Sequence, residues 1–342
     1  MHQVDIGVFV HNEEKNITRM IHELSEQDIL KDKHFSVRVT FLANGCNDNS
    51  VPIAINLIEK LGLNGRFQVL NFVDGGKSRT WNKFVHEVSR KDTDYLIFAD
   101  CDIYFTRSDV LSALVGKLES DRKLKAVSSR PVKDLATTEQ DLSLLDKIIL
   151  SSGGALNDWR HSICGQLYIT KAIVAKSIYM PIGLPVEDGY MRAMLLTDGL
   201  KAEEDITKID GDENIFHVYE SERTIGALIK HQSRIVIGSA INAVIYKYLR
   251  SFKTSERQEI LKQASMDELW LQALIKSELP TWPFAWVPFS FLTKRLRRAL
   301  EQPKLINTPK KIITLLLGLI FDAVVYFLSQ YKMARGNGVG YW

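Results

Sequence analysis

Over the first hundred residues, short β-branched and apolar runs alternate with stretches of helical periodicity, a pattern that predicts parallel strands joined by crossover helices. Strands are expected at Val4 to Val10, Val37 to Ala43, Phe67 to Phe72 and Tyr95 to Ala99, with helices near Glu14 to Glu26, Val51 to Leu61 and Arg79 to Ser89. Asn12 ahead of Glu13 and Glu14, and Ser50 ahead of an apolar-periodic run, supply plausible helix starts. Beyond Asp102 the pattern is mixed: a helix near Ser108 to Leu118, a strand near Ala126 to Arg130, a helix near Glu139 to Leu150 and a strand near Gln166 to Thr170. From about Thr224 the periodicity is helical, ending in "IITLLLGLIFDAVVYFLSQY". The expected organisation is an α/β domain over residues 1–223, a mixed sheet flanked by helices, followed by a mainly helical region over 224–342.

Polar chemistry gathers where the strands end. The fourth strand closes on "ADCD", placing Asp100 and Asp102 one residue apart. Two carboxylates so spaced in a strand-end loop repel each other and suit a hard divalent cation. By itself such a pair more often caps a strand and opens a turn. Its neighbours change the weighing: "VFVHNEEKNI" follows the first strand, "ANGCNDNS" the second and "DGGKSRTWN" the third. Paired glycines let backbone N–H groups approach a ligand, and Lys77 adds a positive charge. In open α/β sheets these loops converge on a crevice, and here they suit an anionic nucleotide.

Composition narrows the class without deciding it. The chain has 342 residues, 45% hydrophobic and 25% charged, the balance of a globular protein with one large domain and additions. Cys46, Cys101 and Cys164 stand far apart with no CxxC pair, so neither a disulfide framework nor a zinc site is indicated, and a reducing cytosolic setting is expected. "MHQVDIGVFV" has no basic region before its apolar run and carries Asp5 inside it, so it reads as a strand and not as a signal peptide. The net charge of +3 hides a basic tail: from Trp282 onward nine Lys and Arg residues face only Glu301 and Asp322. An anionic partner for that tail is expected, and without a recognition motif nucleic acid is not.

The ordered set "VFVHNEEKNI", "ANGCNDNS", "GGKSRTWN", "FADCDI" and "VEDGYM" resembles the inverting glycosyltransferases of family 2, which have the Rossmann-like GT-A fold. Each string is common alone; five in this order are specific. The resemblance implies that Val10, His11, Glu13 and Asn44 hold the nucleobase of a nucleoside diphosphate sugar, UDP by default, although relatives often carry Asp at the Asn44 position. It implies Gly76 and Lys77 beside the nucleotide, Asp100 facing ribose or metal, Asp102 on a Mg²⁺ or Mn²⁺ ion, and His217 completing the metal site. It further implies Asp188 as the catalytic base, with Glu187 as its rival. "KHQSRIVIG" is a loose match to the QxxRW element of processive members, with Arg234 facing the diphosphate; Ile235 stands in place of the tryptophan, which argues against a processive synthase.

The expected activity is metal-dependent, inverting transfer of a sugar to a hydroxyl of a glycan or lipid-linked acceptor. A sugar-phosphate nucleotidyltransferase is a rival, although the loop after the first strand lacks its glycine-rich signature; an inactive membrane-associated scaffold is another. The segment 312–331 is long enough to span a bilayer, but Asp322 near its middle argues for peripheral attachment at the cytoplasmic face, aided by the aromatic and basic "TWPFAWVPFSFLTKRLRRAL".

Overall fold

All four expected N-terminal strands form, most of them extended by a residue or more: β1 (His2–Val10), β2 (Phe35–Asn44), β3 (Phe67–Phe72) and β4 (Tyr95–Asp100). They are joined by α1 (Ile17–Ser25), α2 (Ser50–Lys60) and α3 (Lys77–Lys83), which runs on into one wide π turn at Phe84–Val88. After α4 (Val110–Glu119) come β5 (Ala126–Lys133), β6 (Leu167–Lys171), the short α5 (Ala172–Ala175), α6 (Glu187–Leu196) and β7 (Ile209–Tyr219). The computed structural model describes residues 1–137, 159–278, 286–302 and 308–335. The helix expected near Glu139 to Leu150 lies outside these residues, as does the beginning of the aromatic segment at 281–285.

The strands form one mixed sheet in the order β3-β2-β1-β4-β6-β5-β7. β1 is flanked by β2 and β4, both parallel to it, and β6 runs antiparallel to β4 and β5. The chain therefore winds outward from β1 to β3 and then returns to β4 on the other side of β1. This reversal opens a crevice at the carboxyl ends of β1 and β4, where Phe9 lies beside Asp100.

Alternation along the strands divides the two faces. Val4, Ile6, Val8 and Val10 of β1 join Ile97 and Ala99 of β4 in a core with apolar residues of α1, α2 and α4. The opposite face receives Phe84, for which Gly7 leaves room: a Cβ at position 7 would lie 2.8 Å from the Phe84 ring. Phe98 stacks between Trp81 and Tyr168 on that face. Asp100, two residues beyond Phe98, emerges on the side where α3 begins.

The described residues group into two compact units. One comprises Met1–Pro181, Glu187–Ser221 and Thr254–Met266; the other comprises Ile182–Val186, Glu222–Lys253 and Asp267–Trp342. The first unit holds the sheet and α8 (Thr254–Ala264). The second is helical, built on α7 (Ile225–Arg250), α9 (Trp270–Glu278), α10 (Ser290–Glu301) and α11 (Pro309–Ala334). The hydroxyls of Thr224 and Thr308 cap α7 and α11 by accepting hydrogen bonds from the N–H groups of Ala227 and Lys311.

Candidate active site

Four strand ends and the start of α6 build the crevice. Asn12, in the loop after β1, adopts a left-handed φ of 58°, and its Oδ1 accepts a hydrogen bond from the N–H of Asn47 at 2.9 Å. It thus ties the first two loops together, while α1 begins only after Asn16. Ser50 contributes in the same way, accepting from the Glu13 N–H at 2.7 Å and donating to Asp48. Gly45 (φ +62°) and Gly75 meet where the loops after β2 and β3 cross; a Cβ on Gly45 would lie 3.0 Å from the Gly75 Cα. Gly76, at φ +126°, turns the backbone into α3 through a region that side-chain-bearing residues rarely enter.

Lys77, the first residue of α3, is the centre of the site. Its Nζ lies 2.7 Å from Asp100 Oδ1 and 3.1 Å from Glu187 Oε1, donates to the Gly165 carbonyl at 3.2 Å, and stands 5.6 Å from the centre of the Phe9 ring. The lysine is buried. Burial disfavours its charge, but the carboxylates of Asp100 and Glu187 outweigh that and raise its pKa. Asp100 is pushed up to about 6 by burial, with Asp102 adding to the effect and Lys77 opposing it. One acid from each of two pairs distant in sequence is thereby drawn to one cation.

Asp102 faces the same crevice, since Cys101 and Ile103 on either side of it are buried in the core. Its Oδ1 is buried and has no hydrogen-bond partner among the described residues. Burial raises its pKa, with Glu13 adding to the effect. Glu13 is raised too, first by burial, against a hydrogen bond from Asn16 and with the charges of Asp100 and Asp48 adding. An unsatisfied carboxylate oxygen among neighbouring acids fits a hard divalent cation. Among the described residues no group of three or more His, Cys, Asp or Glu side chains forms a ready metal cage. Such an ion would need oxygens from water or a diphosphate to fill its shell, as Mg²⁺ commonly does.

Asp188 follows Glu187 at the start of α6, and its Oδ1 accepts a hydrogen bond from the Gly189 N–H at 2.7 Å. The acid lies against Gly165: a Cβ built there would stand 3.2 Å from the Asp188 Cβ and 3.5 Å from its Oδ2. Gly165 was not singled out by the sequence, although it stands just before a strand, where backbone approaches a site closely. Its two faces serve different partners, the carbonyl holding Lys77 and the bare Cα leaving room for Asp188. With Asp188 in the role of base that the family resemblance implies, Gly165→Ala is expected to displace it by a few tenths of an ångström and to lower kcat about tenfold, with nucleotide-sugar affinity within error of the parent. Steady-state kinetics beside calorimetry checks this.

The remaining expected residues are placed as follows. Asn44 ends β2 with its side chain buried, and its Oδ1 accepts from the Thr80 hydroxyl at 3.0 Å. His11 is exposed, with its Nδ1 2.7 Å from the Asn44 carbonyl oxygen, and Val10 is buried. His217 on β7 is fully buried; Nδ1 is 2.9 Å from the Ser129 hydroxyl and Nε2 is 3.3 Å from Gln166 Oε1. Burial lowers its pKa to about 3, so it is a neutral imidazole. Arg234 belongs to the second unit, on α7.

The order of this mixed sheet, with its switch point beside β1, is that of the GT-A fold. Residues 5–170 match the model of glycosyl transferase family 2. Among solved structures, a mannosyltransferase from Pyrobaculum calidifontis, in complex with GDP-Man and Mn²⁺, is similar over 97% of this chain and 86% of its own, at 14% identity and a TM-score of 0.54. A glucosyl-3-phosphoglycerate synthase from Mycobacterium tuberculosis, in complex with Mn²⁺, UDP and glucosyl-3-phosphoglycerate, covers 70% of this chain and 78% of its own at 17% identity and a TM-score of 0.46. No curated protein sequence matches the chain.

Proposed function

We propose that the protein transfers a sugar from a nucleoside diphosphate sugar, a UDP-sugar by expectation, to a hydroxyl of a glycan or lipid-linked acceptor with inversion, at the cytoplasmic face of a membrane. The observation that carries this reading is the convergence of Asp100 and Glu187 on Lys77, which places both acidic pairs at one crevice. Asp102, with Asp100 beside it, would hold a Mg²⁺ or Mn²⁺ ion, whose positive charge offsets that of the diphosphate leaving group. The mannosyltransferase of similar fold, in complex with GDP-Man and Mn²⁺, is consistent with a metal and a nucleotide sugar here.

The chain's own groups supply the rest. Asp188 takes the proton of the acceptor hydroxyl as its oxygen bonds to the anomeric carbon, and the bond from that carbon to the diphosphate oxygen breaks on the opposite side. One displacement inverts the centre. Lys77 keeps Glu187 and Asp100 in place, and the loops at His11, Glu13 and Gly76 close around the nucleotide.

The test is calorimetry and a released-nucleotide assay on the protein with Mn²⁺ or Mg²⁺ and a panel of UDP-, GDP- and dTDP-sugars, repeated on Asp102→Asn. Expected is metal-dependent binding of one nucleotide class, weakened at least about a hundredfold in the variant, since a direct ligand should matter no less than its supporting partners. Failure of every donor to bind, or wild-type binding by Asp102→Asn, would overturn the reading.

A further inference from the structure

Helix α11 has the length and apolarity of a membrane-crossing segment, yet it carries Asp322 near its middle. That acid is buried and held by two hydrogen bonds from Arg295 of α10, Nε to Oδ2 at 2.7 Å and Nη2 to Oδ1 at 3.0 Å. The arginine reaches it by lying across Gly318, one turn earlier, where a Cβ would stand 2.9 Å from Arg295 Cδ. The same side of α11 buries Ser329 and Gln330, and the Gln330 carboxamide pairs with the backbone of Val287. α11 therefore spends its polar groups on its own unit.

Its other side is apolar and open. Ile313, Leu316, Leu317, Ile320, Phe327 and Tyr331 are exposed. At about 100° per residue they fall in an arc of about 100°, opposite Asp322. On α10 the exposed side chains sort in the same way: Leu296 and Leu300, with Phe289 just before the helix, lie beside the exposed cations Lys294, Arg297 and Arg298. An apolar stripe bordered by basic residues is the surface that an anionic bilayer complements.

We propose that α10 and α11 form a docking surface for anionic lipid, with α11 lying in the plane of one leaflet instead of crossing it. The inference rests on the membrane attachment proposed above and specifies its geometry. The clamp at Gly318 and Asp322 decides between the two placements. It fastens α10 to the middle of α11, so a spanning α11 would carry Lys294, Arg297 and Arg298 to the centre of the hydrocarbon, where isolated charges are strongly disfavoured. In the plane of the leaflet the same cations stand at the phosphate level while the apolar stripe enters the acyl boundary.

The test is sedimentation of the full chain with phosphatidylcholine vesicles, with and without phosphatidylglycerol, at low and high salt, followed by alkaline carbonate extraction. Expected is binding to the phosphatidylglycerol vesicles that weakens with salt and is removed by carbonate. Combined Lys294→Glu, Arg297→Glu and Arg298→Glu should weaken it by at least about a hundredfold, and Leu316→Ser with Leu317→Ser and Ile320→Ser should abolish it, both with the parent's thermal transition. Carbonate-resistant retention, or equal binding to neutral vesicles, would overturn the in-plane anionic surface and leave attachment standing. Absence of binding to either vesicle would overturn both. Donor binding in the same samples bears only on the glycosyltransferase reading.

Discussion

Asp188→Asn is expected to lower kcat by a factor on the order of 10²–10⁴, the usual contribution of a positioned general base, while nucleotide-sugar affinity stays at the parent value. Asparagine matches aspartate in shape, and its carboxamide oxygen can still accept from the Gly189 N–H as Asp188 Oδ1 does at 2.7 Å. What it cannot do is take the proton of an attacking hydroxyl. The neighbouring acid is the necessary control. Glu187 is buried with its Oε1 3.1 Å from Lys77, so it already serves as the partner of a cation. Glu187→Gln should therefore impair stability and donor binding together. If Asp188→Asn turns over like the parent and Glu187→Gln alone loses chemistry with donor binding intact, the two roles must be exchanged.

The spacing in "VED" does not rank its two carboxylates; the family resemblance puts Asp188 first, and the fold adds that Lys77, far away in sequence, claims Glu187. The strand-end loops were legible because apolar runs bounded by polar and glycine residues mark strands whether or not their partners are known. Helix starts were less so: Asn12 has the composition of a cap, but in the left-handed region it serves the loop at Asn47 instead. β7 escaped notice because "IDGDENIFHVY" breaks its alternation at an exposed acidic stretch, where its pairing with β5 shifts register. In the tail, Asp322 looked like a charge in an apolar helix. Its neutralisation by Arg295 depends on Gly318, whose role lies in the close passage of two helices and not in any pattern along one.

Removing the cation gives the other large effect. Lys77→Met should destabilise the fold by about 3–5 kcal/mol, the cost of leaving buried charges without their partner, and should also lower donor affinity and turnover. Methionine fills the volume of the lysine stem but leaves Asp100, Glu187 and nearby Asp102 as carboxylates in a buried crevice with no lysine to offset them. A purely phosphate-contacting lysine would behave differently, losing donor affinity with the unfolding transition unmoved. The distinction is readable by urea unfolding without nucleotide. Combining Lys77→Met with Glu187→Gln should recover part of the lost stability, since the second change removes one of the stranded charges, so the two effects should fall short of their sum. Additive losses in that cycle would separate Lys77 from Glu187, and the convergence that brings the two acidic pairs together would then owe nothing to the lysine.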